Sequence, residues 1–396
     1  MANPTNNKTV VRPVSQVTKE AVKKEYKFIG IGAAGNKAAL GLVSDGVVEK
    51  EDIILINSTK QDVPEEYDGT YIALTAQDTG CGKERNVAKE YAVQMMKAGT
   101  LNQYMNCDSV VIVSSISGGT GSGAAPIIGE YCKQVLGLNV HFIVFSGFEE
   151  DSRELQNSVE FFTELDFDCD VQAIRNSAFL HGNGNNKFRA EEAANEELKM
   201  RVGVMLKQGL IPSKQNIDHT DHFKLINTTG FKTIERIEFD TDLVDVEAFN
   251  KMCKNMIYNS KSLKTENPGQ LRLGVILNLS PLSIDSVDYN YTVIKETYGE
   301  PYEVFTHSQW DDTKKQSITI ISSGMKLPIE EVSAMQEAYN KRAAMVNNEE
   351  DSFFDQLSKM DKGNGDKFNM VRTGSNNSTK SAADFFKSLE TQPTPK

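Results

Sequence analysis

Three short stretches of this chain have the residue types and spacing to do chemistry on a phosphate chain. The first is Gly30-Ile31-Gly32-Ala33-Ala34-Gly35, which follows an apolar run and opens a helical one. A G-x-G-x-x-G turn so placed lets backbone N–H groups approach phosphates at a helix N-terminus, where unpaired amides carry partial positive charge. The second is Ser117-Gly118-Gly119-Thr120-Gly121-Ser122-Gly123, set between the apolar run Val110 to Ser114 and a helical segment from Ala124. Its glycines leave amides unobstructed, and Thr120 and Ser122 add hydroxyls. Two such loops at the carboxyl edge of one sheet make a nest for a di- or triphosphate. The third is Asn216-Ile217-Asp218-His219-Thr220-Asp221. Carboxylates three residues apart share one face of a helical turn, where they can hold or polarise a water.

Each stretch alone has a plainer explanation. A single glycine-rich turn is often only a tight connection, and D-x-x-D is often a helix cap beside a solvated face. A dinucleotide enzyme puts Asp or Glu at the end of the second strand to hold ribose hydroxyls, whereas Ile53 to Ile56 ends here in Asn57. Asn57 stays a candidate nucleotide contact, and a nicotinamide-dependent oxidoreductase using the first turn alone stays a competing reading. The chain has no G-x-x-x-x-G-K-[ST]: the nearest fragment, Gly80-Cys81-Gly82-Lys83, lacks the spacing and the hydroxyl residue after the lysine, which excludes a P-loop. Asp218, His219, Asp221 and His222 compose a rival metal cluster without a third clear ligand set, so metal ligands stay unassigned.

The elements that must position these residues are legible from periodicity. From Tyr26 onward, short β-rich runs alternate with helical lengths: Tyr26 to Ile31, Ile53 to Asn57, Val110 to Ser114, Val140 to Phe145 and Val171 to Ile174 as strands, with helices at Lys37 to Val43, Val87 to Met96, Ala124 to Val135 and Arg153 to Thr163. Strands apolar throughout and separated by helices predict a parallel sheet covered on both faces. Arg189 to Leu210 then reads as one long helix stopped by Pro212. Runs at Leu271 to Leu279, Tyr302 to Thr306 and Ser317 to Ile321, with a helix over Val246 to Met256, predict a smaller α+β domain. The expected divisions are an arm over 1–25, a nucleotide-binding domain over 26–187, the central helix and catalytic loop over 188–225, the α+β domain over 226–327, a charged helix over 328–346 and a flexible tail over 347–396. In that tail Phe353-Phe354-Asp355-Gln356-Leu357 recurs as Phe385-Phe386-Lys387-Ser388-Leu389, a spacing able to dock in a partner's groove.

Composition removes several classes of function. Of 396 residues, 43 are Lys or Arg and 55 are Asp or Glu, and the resulting charge of −12 disfavours general nucleic-acid binding. The apolar runs fall well short of the roughly 20 residues of a spanning helix, and the polar, Asn-rich Met1 to Thr9 does not read as a secretory signal. A cytoplasmic protein without membrane contact is expected. Five scattered cysteines without a CxxC pair read as reduced core residues.

At this point the residues carry a resemblance. Ser117 to Gly123 is similar to the tubulin signature, and the order of motifs across about residues 26–325 resembles the tubulin and FtsZ superfamily. The resemblance implies GTP or GDP with Mg²⁺ as cofactors. It implies nucleotide contacts from Gly32, Ala33, Ala34, Gly35 and Asn36 in the first loop and from Gly118, Gly119, Thr120, Gly121, Ser122 and Gly123 in the second. Glu149 and Arg153 match the family's ribose-contacting pair, and Asn176 and Asn195 its two guanine contacts. Asn216, Asp218 and Asp221 match the N-x-D-x-x-D loop, which in this family faces the γ-phosphate of the next subunit in a head-to-tail filament. His219 stands where an apolar residue is common in FtsZ, Gly147 where proline is usual, and the tail ends in Thr-Pro-Lys without an FtsZ-type adaptor peptide. The charged helix and divergent tail look more like the plasmid and phage branches, TubZ and PhuZ, than chromosomal FtsZ.

The expectation is an α/β protein: a Rossmann-like, parallel-sheet GTP-binding domain, a long central helix, a smaller α+β domain, a C-terminal helix and a disordered tail. Its expected function is an assembly-stimulated GTPase, polymerising in a bacterial host's cytoplasm to position or segregate phage or plasmid DNA, with the tail available to an adaptor or cargo. An FtsZ-type division filament and a non-polymerising GTP-binding module are the alternatives.

Overall fold

Runs of β-branched and aromatic residues too apolar to face water on either side favour parallel strands with helices on both faces. The computed structural model describes residues 23–360 apart from Glu150, Lys214 and Asn267, with side chains described as far as Met345. The expected arm up to residue 22 and the element Phe385 to Leu389 lie outside the described residues. The strands are β1 (Lys24–Ile31), β2 (Ile53–Asn57), β3 (Thr70–Ala73), β4 (Cys107–Ser115), β5 (Asn139–Ser146), β6 (Asp170–Arg175), β7 (Gly230–Phe239), β8 (Arg272–Asn278), β9 (Glu303–Gln309) and β10 (Gln316–Met325). They form one sheet in the order β3-β2-β1-β4-β5-β6-β7-β10-β8-β9.

The first six strands pair in parallel. β7 joins β6 in parallel through two residue pairs, Asp170 with Gly230 and Val171 with Phe231. β10 then runs antiparallel to β7 and β8, and β9 closes the edge parallel to β8. The smaller α+β part thus continues the sheet of the first part across a narrow joint. β7 escapes the hydropathy pattern because two of its charged residues, Lys232 and Glu235, point inward and are buried.

The helices are α1 (Gly32–Ser44), α2 (Arg85–Lys97), α3 (Gly119–Gln134), α4 (Ser152–Thr163), α5 (Lys187–Met205), α6 (His219–Ile226), α7 (Val246–Tyr258), α8 (Thr292–Tyr298) and α9 (Ile329–Met360). Apolar residues of α2, α3, α4, α7 and α8 share one core, and those of α1, α5 and α6 share the other. Two helices begin earlier than the pattern suggests. α1 opens at Gly32 and α3 at Gly119, so both glycine runs are largely first helical turns and not free loops. α5 ends at Met205, short of the expected Leu210, because Lys207 and Gly209 turn left-handed (φ of 56° and 78°) before Pro212. α9 runs to Met360, beyond the expected end at 346, and takes in Phe353 to Leu357. All five cysteines are free and buried. No helix among the described residues is long and apolar enough to cross a membrane.

A buried polar cluster holds the narrow joint. Lys232 Nζ lies 2.9 Å from Asp170 Oδ2 and also donates to the carbonyl of Ile226, the last residue of α6. His141 bridges Asp170 Oδ2 and Asn227 Oδ1, each at 3.0 Å.

Candidate nucleotide-binding site

The site is built from two helix N-termini brought together by the parallel sheet. β1 and β4 are neighbours, so the helices that follow them start side by side at the same sheet edge. Gly32 has φ of +74°, which lets the chain leave β1 directly into α1. A Cβ on Gly32 would lie 3.1 Å from the amide nitrogen of Gly121, so the two glycine runs touch. Neither α1 nor α3 has a side-chain cap or an acidic residue in its first turn. By contrast α4, α5, α6 and α7 are capped by Asp151, Asn186, Asp218 and Asp245. Two uncapped N-termini pointing into one space make an anion site.

That space is a cavity of about 570 Å³. Gly32, Ala33 and Ala34 line it from α1, and Gly118, Gly119, Thr120 and Gly121 from the start of α3. Asn176 and Asn195 line the same cavity. The Asn176 Oδ1 is buried with no hydrogen-bond partner, an acceptor left for a ligand's N–H.

Several expected contacts lie elsewhere. Gly35 and Gly123 are packing glycines: a Cβ would fall 2.2 Å from the Val113 carbonyl oxygen in the first case and 2.2 Å from that of Arg85 in the second. Ser122 is fully buried and its hydroxyl donates to the Gly118 carbonyl, so it offers nothing to the cavity. Asn36 is fully buried behind α1's first turn, with both amide atoms unpaired. Asn57 donates to Asp62 Oδ2 (3.0 Å) and accepts from the Ser58 amide (2.9 Å), and it is Asp62 that lines the cavity. Glu149 is left-handed (φ 59°) and its carbonyl accepts from Arg342 of α9 at 2.8 Å. Burial pushes the Glu149 carboxyl up, against the nearby Arg175 and Arg342. Arg153 pairs with Glu84 at 2.7 Å. The neighbours Phe148 and Glu154 line the cavity in place of that pair.

Sequence reasoning also passed over Lys37, Lys83, Ser117 and Glu191, which line the cavity too. The Gly80 to Lys83 fragment did carry a usable signal: a lysine among glycines, which failed only the P-loop test.

The N-x-D-x-x-D residues are not in this cavity. Asn195 lines it from within α5, which continues ten residues to Met205, about 15 Å at 1.5 Å per residue. Asn216, Asp218 and Asp221 follow beyond that far end. Asp218 is the N-cap of α6, its Oδ1 accepting from the Asp221 amide at 2.7 Å. Asn216 closes its own turn, accepting from the Ser213 amide at 2.8 Å. Within one chain, then, the exposed Asp218 caps α6 and the half-buried Asp221 sits in its first turn, outside the cavity.

The rival metal cluster does not assemble. His222 is fully buried and its Nε2 donates to the Val204 carbonyl at 3.2 Å, while His219 is exposed beside Lys207. No group of three or more His, Cys, Asp or Glu among the described residues is placed to hold a metal. Burial instead holds His222 down to about 4, from an ordinary 6.5. The unfolded chain therefore binds this proton first. Its stabilising effect is complete above pH 6.5 and is lost as pH falls towards 4, by about 3 kcal/mol. His222→Gln, which keeps a donor, is expected to flatten the pH slope of the urea midpoint in that window. A slope equal to the wild type's would contradict the assignment.

Residues 25–182 match the family model described as Tubulin/FtsZ family, GTPase domain. The chain carries a tubulin/FtsZ GTPase domain. It is 26% identical over 251 residues to the tubulin-like protein TubZ of Clostridium botulinum C phage, covering 62% of this chain and 68% of that protein. It is 24% identical over 262 residues to cell division protein FtsZ 1 of Methanocaldococcus jannaschii, covering 63% of this chain and 68% of the relative. The crystal structure of a GTPγS-form protofilament of Bacillus thuringiensis serovar israelensis TubZ has the same fold, with a TM-score of 0.64 at 15% identity over 85% of this chain and 95% of that one. The family's members are GTPases that form filaments.

Proposed function

We propose that this tubulin/FtsZ-type protein polymerises head-to-tail and hydrolyses GTP at sites completed between subunits. The observation that carries the reading is a separation. The open helix N-termini that suit a phosphate chain lie at one end of α5, and Asp218 and Asp221 lie beyond the other. A chain built this way presents a cavity at one pole and two carboxylates at the opposite pole. Stacking by a non-closing, heterologous contact brings the carboxylates of one subunit to the cavity of the next and extends without limit.

The division of labour follows from the demands of phosphoryl transfer, which are positioning, charge neutralisation and orientation of the attacking water. Backbone amides of Gly32 to Ala34 and Gly118 to Gly121 bind and orient the phosphates. The unpaired Asn176 Oδ1 and the Asn195 amide suit the purine, since guanine offers N–H donors on its pairing edge. Asp221 and Asp218 of the neighbour orient the water, with Asn216 holding their loop. The cavity's oxygen donors fit Mg²⁺: Asp62 and Thr120 line it, and Ser58 Oγ, 3.4 Å from Thr120 Oγ1, ties their two segments together. Bound there with the phosphates, Mg²⁺ supplies charge neutralisation.

The DNA-positioning role in a bacterial cytoplasm rests on the likeness to phage TubZ. The tail over 347–396 is its proposed contact with an adaptor or cargo. The assembly reading predicts GTP turnover per molecule near zero below a critical concentration, rising together with light scattering above it. A rate per molecule independent of concentration would show that one chain holds the whole site.

A further inference from the structure

We infer that Lys83 is a phosphate ligand of this cavity, held aside by Asp151 and Glu154 until a nucleoside triphosphate draws its ammonium off. The inference rests on reading the cavity as a nucleotide site, and it assigns a residue that none of the glycine motifs includes.

The position of Lys83 is fixed by backbone packing. A Cβ on Gly119 would meet the Lys83 carbonyl carbon at 2.7 Å and its Cα at 2.8 Å, so Lys83 rides directly on the first turn of α3. That turn is the uncapped, phosphate-facing one. Asn157 clamps the two segments together, its Nδ2 donating to the carbonyls of Lys83 (3.2 Å) and Ser117 (3.1 Å). Two residues on, Arg85 is buried, bonds both Glu164 oxygens at 2.7 and 2.8 Å and donates to the Ser122 carbonyl at 2.8 Å. The backbone beside the cavity is therefore held from both sides. Only the side chain of Lys83 is free to change partners.

Its present partners are replaceable. The ammonium lies 2.6 Å from Asp151 Oδ2 and 3.2 Å from Glu154 Oε1, with the lysine side chain 50% exposed and the Asp151 side chain 47% exposed. The pair with Asp151 is wet and therefore weak, and water takes over that carboxylate when the lysine leaves, whereas Glu154, 21% exposed, makes the longer contact of the two. A triphosphate is a far denser charge. Backbone amides meet it only with partial charges, and an ammonium on a flexible stem is a natural additional phosphate ligand. Lys37, the other lysine lining the cavity, has its Nζ 4.8 Å from the Phe188 ring centroid.

The exchange also has an address. Asp151 is the N-cap of α4, accepting from the Glu154 amide at 2.8 Å, and Glu154 sits in the first turn of that helix. Whichever partner holds Lys83 sets the charge at the start of α4. A terminal phosphate present or absent is thereby read at a helix end as well as in the cavity.

The test is equilibrium binding of GTPγS and GDP to the full chain, as wild type and as Lys83→Met, Lys83→Arg and Asp151→Asn. Lys83→Met is expected to weaken GTPγS by about 10- to 100-fold, the range of a charge-assisted hydrogen bond, and GDP far less. Lys83→Arg is expected to restore part of that loss. Asp151→Asn, which still caps α4, is expected to tighten GTPγS. Equal losses for GTPγS and GDP in Lys83→Met would reduce Lys83 to a structural role, and no loss in either would remove it from the site. A wild-type chain that binds neither nucleotide would overturn the nucleotide reading itself.

Discussion

Alanine in place of Asp221 lowers GTP turnover by about 10²- to 10⁴-fold, the range of general acid–base groups, while leaving nucleotide affinity unchanged. The two halves of that expectation come from different ends of the molecule. Asp221 lies past the far end of α5 and lines no part of the cavity, so truncating it leaves the nucleotide's own contacts untouched. If it orients water for a neighbour, the chemistry fails all the same. A second variant turns this into a test of which chain it serves. Gly118 lines the cavity, and a Cβ there would meet nothing within 4 Å, so Gly118→Glu has room to leave the backbone and adds a repelling carboxylate to the phosphate site. Each variant alone is expected to be inactive. Mixed, an intact cavity on Asp221→Ala meets intact aspartates on Gly118→Glu, and turnover returns to a sizeable fraction of wild type. A mixture as inactive as its components would show that the aspartates do not act across subunits.

The legible and illegible parts of this site differ in physical kind. Backbone chemistry was readable because only glycine admits it: a Cβ on Gly32 would crowd Gly121, and one on Gly119 would crowd Lys83, so the glycines record the close approaches. The same motif could not separate glycines that face a ligand from those that face protein. Gly35 and Gly123 have as strict a requirement as Gly32, yet theirs is set by the carbonyls of Val113 and Arg85. Side chains were harder. Asn176 and Asn195 line the cavity because a strand end and a helix face hold them there. Glu149 sits on the turn into α4, where a packed α9 offers Arg342, and Arg153 sits in the first turn of α4 close to Glu84, and nothing local in the sequence announces those partners. The fold divides likewise. Strands buried on both faces stood out as apolar runs, whereas β7 was hidden by the inward Lys232 and Glu235, whose charges are offset by Asp170 and Arg201, 62 and 34 residues away in sequence.

Those hidden charges carry the largest expected effect on stability. Lys232→Met is expected to cost about 3–5 kcal/mol, the range for breaking a buried ion pair from one side, read as the urea-unfolding midpoint. Lys232 and Asp170 are at most 1% exposed, and burial pulls the Lys232 ammonium down while Asp170 opposes that pull. Removing the lysine strands the Asp170 carboxylate beside His141, in a place where water cannot reach it. Lys232→Met with Asp170→Asn should then be more stable than Lys232→Met alone, because the neutral amide still accepts from His141 and no charge is left buried. A double variant no better than the single one would mean that packing, and not the ion pair, sets the cost. The double variant also has a consequence for catalysis. Lys232 holds the carbonyl of Ile226, the last residue of α6, whose N-cap is Asp218. Losing that anchor loosens the short helix that carries both aspartates, while the cavity at the opposite pole keeps its glycine turns. Turnover should therefore fall in the double variant at unchanged nucleotide affinity, which ties the narrow joint of the sheet to the aspartates and not to the nucleotide.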